Sequence, residues 1–161
     1  MDKFDLKNRV AEGNYLAEGL SIGIVASKFN YPVVKLLIEG ASSGFVQHGG
    51  KIQDLSVVKV PGAFEISVTV KKLLQSDRRL DAIVCLGAVI KGETQHFEHV
   101  CNQVAAGIHS LSLEFVIPIT FSILTTMTAE EAFARAGVKG ANLGYEGIKT
   151  AIEMANLFKT L

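Results

Sequence analysis

Side chains able to do chemistry fall in four stretches of the sequence: SKFN (27–30), PGAFE (61–65), GAVIKGETQH (87–96) and the run after Thr120. The third is the richest. Two glycines bracket a strand end there, and Glu93 and Thr94 are read as opening a helix, so that backbone N–H groups and the positive helix end would face a bound phosphate. The Thr94 hydroxyl would add a donor. Spacing alone also allows an ordinary threonine cap, and the stretch is not a Walker sequence. His96 falls in the first turn of the same helix. Imidazole exchanges protons near neutral pH, which makes His96 the leading acid–base candidate against the plainer reading of a solvated helix histidine. His99, three residues on, suggests a metal pair, but no carboxylate or cysteine spacing completes one, and no metal is expected.

The other stretches carry weaker signals. Phe29 sits between a strand and a helix, where it serves either as a stacking platform for a flat heterocycle or as packing at the core edge. Glu65 can accept hydrogen bonds from ligand hydroxyls, or simply favour the start of a helix. Arg135 ends a short helix, where a cation is favourable without any ligand, so a phosphate role needs outside support. Lys139 is a weaker candidate of the same kind. His48 and His109 receive no role.

The elements that would position these groups follow from periodicity. Apolar, β-branched runs predict strands over 20–26, 55–60, 82–90 and about 117–124. Between them, Pro32 suits a helix start, Val34, Leu37, Ile38, Ala41 and Phe45 recur at helical spacing, and Gly49-Gly50 stop the helix. A second helix is expected from Phe64 to Leu74, and a third carries Phe97, Val100, Val104, Ile108 and Leu111 on one face. Thr128 and Glu131 have the spacing of a capping box, Gly137 suits the end of that short helix, and a last helix spans about 143–159. Strands alternating with helices imply an α/β fold with a four-stranded parallel sheet covered on both faces, and ligands at the carboxyl ends of the strands.

Composition bounds the partners. One domain over 1–161 is expected, with an extension (1–19) before the α/β core (20–161); the extension could lie across a neighbouring subunit. Sixteen basic residues balance sixteen acidic ones, which gives no field for nucleic acid or an anionic membrane. The charged start lacks a signal-peptide core and no run reaches spanning length, so a cytoplasmic protein is expected. Cys85 and Cys101 read as buried free thiols.

VPGAFE (60–65), LGAVIKGETQHF (86–97), ARAGVKG (134–140) and IEMANL (152–157) together resemble the lumazine synthase family in order, spacing and context, from about Gly19 to Phe158. The resemblance implies a flavodoxin-like three-layer sandwich whose N-terminal segment adds a strand to a neighbour. It implies the condensation of 5-amino-6-(D-ribitylamino)uracil with 3,4-dihydroxy-2-butanone 4-phosphate, without a cofactor. It assigns proton transfer to His96. The pyrimidine substrate would meet Phe29, Ala63, Phe64, Glu65, Ala88, Val89 and Ile90, with Phe121 reaching in from an adjacent subunit. The phosphate substrate would meet Glu93, Thr94 and Arg135, and Asn30 and Lys139 are further candidates. The implied partners are the two small-molecule substrates, further copies of the chain (a homopentamer at least, or a sixty-subunit shell), and riboflavin synthase.

This chain departs from the family pattern at named positions. Glu93 stands where many members have a small residue, and its charge would repel a phosphate unless the side chain points away while its N–H donates. In VKGANLG (138–144), Val138, Ala141 and Leu143 replace the more common Thr, Gly and Lys. Lys28 and Lys91 replace frequent arginines and lose bidentate geometry. The residues alone leave two other classes open: a Schiff-base lyase using Lys91 or Lys139, and a flavin-holding protein without turnover.

Overall fold

The structure, a computed structural model, describes residues 10–161. The alternation of apolar runs resolves into strands β1 (Ile22–Ser27), β2 (Leu55–Val60), β3 (Ala82–Ile90) and β4 (Ile119–Thr126). They form one parallel sheet in the order β2-β1-β3-β4. The helices are α1 (Tyr31–Gln47), α2 (Ile66–Leu74), α3 (His96–Phe115), α4 (Ala129–Arg135) and α5 (Leu143–Phe158). The expected α/β architecture is present.

Strand alternation sorts the core into two layers. Ile22, Ile24 and Ala26 of β1 and Val84, Leu86 and Ala88 of β3 pack with α1 and α5. Val25, Ile83 and Cys85 face the other way, onto α2 and α3. A strand buried on both faces reads as a continuous apolar run, which is why the bounds of β3 match the sequence reading.

β2 also matches the expected 55–60, while local chemistry moved several other boundaries. β4 begins at Ile119, not near 117, because α3 ends in a left-handed cap at Val116 (φ 49°). Ile117 is then used in closing the turn, its N–H bonded back to Ser112 O, while Pro118 O already accepts from Ile83 N of β3. The helix expected from Phe64 begins at Ile66, preceded by a 3-10 turn over Ala63–Glu65. α3 opens at His96 and not at Glu93, since residues 93–95 form a separate turn. The Thr128–Glu131 box is half made: Glu131 N donates to the Thr128 hydroxyl, but the Glu131 carboxylate accepts from Met127 N. Gly137 closes α4 at φ 102°, a conformation that a Cβ disfavours.

Residues 10–19 run along their own chain, with Asn156 Nδ2 donating to Asn14 O and Leu16 O, and Ala17 N to His48 O. The part of the expected intersubunit strand that falls in 1–9 lies outside the described residues. Cys85 is buried, and burial pushes its thiol well above the ordinary range, whereas Cys101 is only half-buried, contrary to expectation. No helix among the described residues is long and apolar enough to cross a membrane.

Candidate active site

The sheet changes winding direction between β1 and β3, and parallel sheets open a ligand crevice at such a point. One is present at the carboxyl ends of β1, β2 and β3, with about 550 Å³ of free volume. Its walls include Phe29, Phe64, Glu65, Ala88, Thr94 and His96. Three strand ends are strapped together by residues 28–30: Lys28 N bonds Val60 O at 2.7 Å, Phe29 N bonds Pro61 O at 3.0 Å, and Asn30 Nδ2 bonds Ala88 O at 2.8 Å. Asn30 adopts the left-handed conformation (φ 57°), which asparagine tolerates better than most residues. This strap leaves Phe29 71% exposed at the mouth, opposite Phe64 at 60%.

The floor is backbone. β1 pairs with β3 only as far as Ala26–Leu86, while β3 runs on to Ile90. Its last residues pair with β4 on one side alone, so the edges of Val89 and Ile90 facing β1 carry no strand partner. Such an edge can read a flat heterocycle with its own amides and carbonyls. Ala63 is buried beside it, and one oxygen of the half-buried Glu65 carboxylate accepts from Gly62 N at 2.8 Å, so that Glu65 is held in place by the turn it belongs to.

The turn after β3 carries the candidate anion site. Among the described residues, no acceptor meets the N–H groups of Gly92, Glu93, Thr94 or Gln95, and His96 N reaches the Thr94 hydroxyl only at 3.4 Å. The side chains of Glu93, Thr94 and His96 are exposed. Lys91, by contrast, pairs with Glu98 at 3.2 Å. A backbone hydrogen bond and this lysine hold the Glu98 carboxyl below its ordinary value. Among the described residues there is no group of three histidine, cysteine, aspartate or glutamate side chains suited to a metal ion.

Three expected residues are not brought to this crevice within one chain. Arg135 lines a polar recess of about 480 Å³ at the end of β4, with Thr125, Thr126 and Glu131. Phe121, 41% exposed on β4, lines a groove against α5 with Met154 and Phe158. Lys139 is exposed in the turn between α4 and α5.

Residues 19–159 match the family model described as 6,7-dimethyl-8-ribityllumazine synthase. The chain belongs to the 6,7-dimethyl-8-ribityllumazine synthase family. Proteins of that name are similar to it along nearly their whole length. The one from Chlamydia caviae is 51% identical over 145 residues, covering 90% of this chain and 94% of its own. That of Chlamydia pneumoniae is 49% identical, with 93% and 97% covered, and that of Chlamydia muridarum 46% identical, with 95% and 98% covered.

Of the departures from the lumazine synthase pattern, Val138, Ala141 and Leu143 follow Arg135 closely in the chain. Val138 is exposed, and its N–H closes α4 on Phe133 O. Leu143 is half-buried, joins the α1–α5 core and lines the Arg135 recess. Sequence reasoning assigned no role in the crevice to Phe97 and Val100, whose helical spacing marked them only as core, although both reach its wall. It also passed over Asn142, despite the usual preference for asparagine just before a helix.

Proposed function

We infer that this chain condenses 5-amino-6-(D-ribitylamino)uracil with 3,4-dihydroxy-2-butanone 4-phosphate to give 6,7-dimethyl-8-ribityllumazine, phosphate and water, the penultimate step of riboflavin synthesis. The observation that carries the placement is a single crevice in which an unpaired strand edge, exposed aromatic rings, an unpartnered N–H turn and His96 meet. Phe29 stacks on the pyrimidine, and Ala63, Phe64 and Glu65 receive the ring and ribityl chain. Ala88, Val89 and Ile90 meet the ring largely through backbone groups, though the Ala88 carbonyl is already bonded by Asn30. Asn30 thus acts by holding the mouth in shape.

The phosphate sits on the N–H groups of the turn that contains Glu93 and Thr94, with the exposed Glu93 side chain directed to solvent. The amine attacks the ketone to form an imine, phosphate leaves, and the ribityl-bearing nitrogen closes the second ring. His96 exchanges protons during these steps. Because the amine is itself nucleophilic, holding two substrates in register supplies most of the acceleration.

The chain acts as one domain in the cytoplasm and as an assembly. Arg135 and Phe121 face recesses apart from the His96 crevice, so a complete site draws them from an adjacent copy. A homopentamer is the smallest closed form proposed. A sixty-subunit shell and an association with riboflavin synthase extend the same proposal, and Lys139 would then lie near the phosphate beside Arg135.

The test is a two-substrate assay that follows lumazine formation by absorbance, run with mass measurement of the native assembly. Lumazine and inorganic phosphate in equal amounts are expected. Absence of lumazine at saturating concentrations of both substrates would rule out the reaction, and a fully active monomer would rule out the shared site.

A further inference from the structure

Asn142 lies between α4 and α5, outside the crevice, and is among the most fully bonded side chains described. Its Nδ2 donates to Leu36 O on α1 (2.9 Å) and to Ala136 O (2.7 Å), while its Oδ1 accepts from Gly144 N (2.8 Å) and Tyr145 N (3.1 Å). A carboxamide has two N–H donors and two acceptor lone pairs, so its capacity is filled. The backbone of Asn142 also bridges antiparallel to Ala136. The surroundings are cut to fit: a Cβ on Gly40 would fall 2.3 Å from Asn142 Oδ1, and one on Gly137 3.2 Å from Nδ2.

Capping α5 needs only the oxygen, and serine, threonine or aspartate would provide it. The nitrogen does something else. It holds the carbonyl of Ala136, the residue after Arg135, and ties it to α1. α4 has seven residues, too few to be a stable helix by itself, so the direction in which Arg135 leaves it depends on how this end is anchored.

We propose that Asn142 is a positioning residue for Arg135: by clamping Ala136 to α1 and to the start of α5, it holds the guanidinium where a phosphate group is bound. The proposal rests on the assignment of Arg135 to the phosphate substrate made above.

The experiment is a double-mutant cycle on the native assembly, with inorganic phosphate as the probe and the KM of each substrate measured alongside. Asn142→Ser keeps an oxygen for the α5 cap and loses the donors, and Asn142→Asp does the same with a larger side chain should serine fail to assemble. Arg135→Ala is expected to weaken phosphate binding about tenfold or more, as for loss of a charged hydrogen bond. Asn142→Ser should weaken it about three- to tenfold and raise the KM of the sugar phosphate alike, with the KM of the pyrimidine unchanged. In the Arg135→Ala background, it should weaken phosphate binding no further. Equal losses in both backgrounds, or a fall in kcat at unchanged KM values, would overturn the positioning role while leaving Arg135 in place. Unchanged phosphate affinity in Arg135→Ala would remove the assignment of Arg135, and the proposal with it.

Discussion

The α1–α5 face of the sheet and the rim of the crevice are built to different ends. On the α1–α5 side the packing is close enough to exclude a methyl group: a Cβ on Gly144 would fall 2.0 Å from the Leu37 carbonyl oxygen, and one on Gly44 2.8 Å from Ile148 Cγ2. Around the crevice and along α2, large apolar residues stand in the open, with Phe29, Phe64 and Val68 each at least 60% exposed and Gly92 free of neighbours within 4 Å, although where α2 meets α3 the packing is again close, a Cβ on Gly107 falling 2.5 Å from Ser67 Oγ. Residue choice on the first side answers to packing within the chain. On the second it answers to something the isolated chain does not contain, namely substrates and neighbouring copies. Substitutions should therefore divide into those that cost stability and those that cost turnover.

The widest separation is expected between two glycines. Gly144→Ala would press a methyl group into backbone, which cannot rotate away, and should destabilise the fold by about 3 kcal/mol or prevent folding, as for severe overpacking. Gly92→Ala meets nothing and should change stability by less than about 0.5 kcal/mol. Urea unfolding of both variants checks this. Equal losses would mean that the α1–α5 face and the crevice rim are not distinguished by packing.

His96→Ala tests the converse. The side chain is exposed and its backbone bond to Thr94 survives truncation, so unfolding should be unchanged. Single-turnover rates with both substrates saturating should fall about a hundredfold, the lower end of general acid–base effects, because register rather than proton transfer provides most of the acceleration. A full rate would remove His96 from the chemistry. A matching loss of stability would place it with the packed face after all.

The same division explains what the sequence revealed. Packing leaves a period, and so the strands, the helices and the inward residues of α3 could be read from spacing, with β3 matching at both ends. Boundaries shifted where a single hydrogen bond or cap decided them, as at Val116 and Glu65. The exposed residues of the crevice have no period. Spacing gave Phe29, Glu65 and His96 only as alternatives among plainer readings, and the family resemblance turned them into candidates with roles. Phe121 and Arg135 show a further limit, since no pattern along the chain showed that they line recesses apart from the crevice. Asn142 went unread, although asparagine suits a helix start, and its Nδ2 bonds reach Leu36, far away in sequence.

A smaller effect is expected at the mouth. Phe29→Ala removes a ring that is 71% exposed, so stability should stay within about 0.5 kcal/mol. Aromatic stacking contributes about 0.5–1.5 kcal/mol, which corresponds to as much as a tenfold rise in the KM of the pyrimidine, with the KM of the sugar phosphate unaltered. A rise in both constants would show that Phe29 shapes the crevice as a whole and does not recognise the ring.

One residue joins the two regimes. Asn30 is bonded into the fold through Ala88 O, yet its task is to hold Phe29 at the crevice. Asn30→Ala loses that bond and leaves a Cβ in a left-handed conformation, so it should destabilise by about 1–2 kcal/mol. Asn30→Gly loses the same bond but relieves the conformational strain, and the two contributions nearly cancel, leaving about 0.5 kcal/mol or less. Both variants free the strap between β1 and β3 to the same degree, so both should raise the KM of the pyrimidine by a few-fold. A KM that tracks stability across the pair would assign Asn30 to the packed face. Equal rises in KM at unequal stability would show that the strap serves the crevice, and that a residue can be bonded into the fold while its identity is set by the ligand.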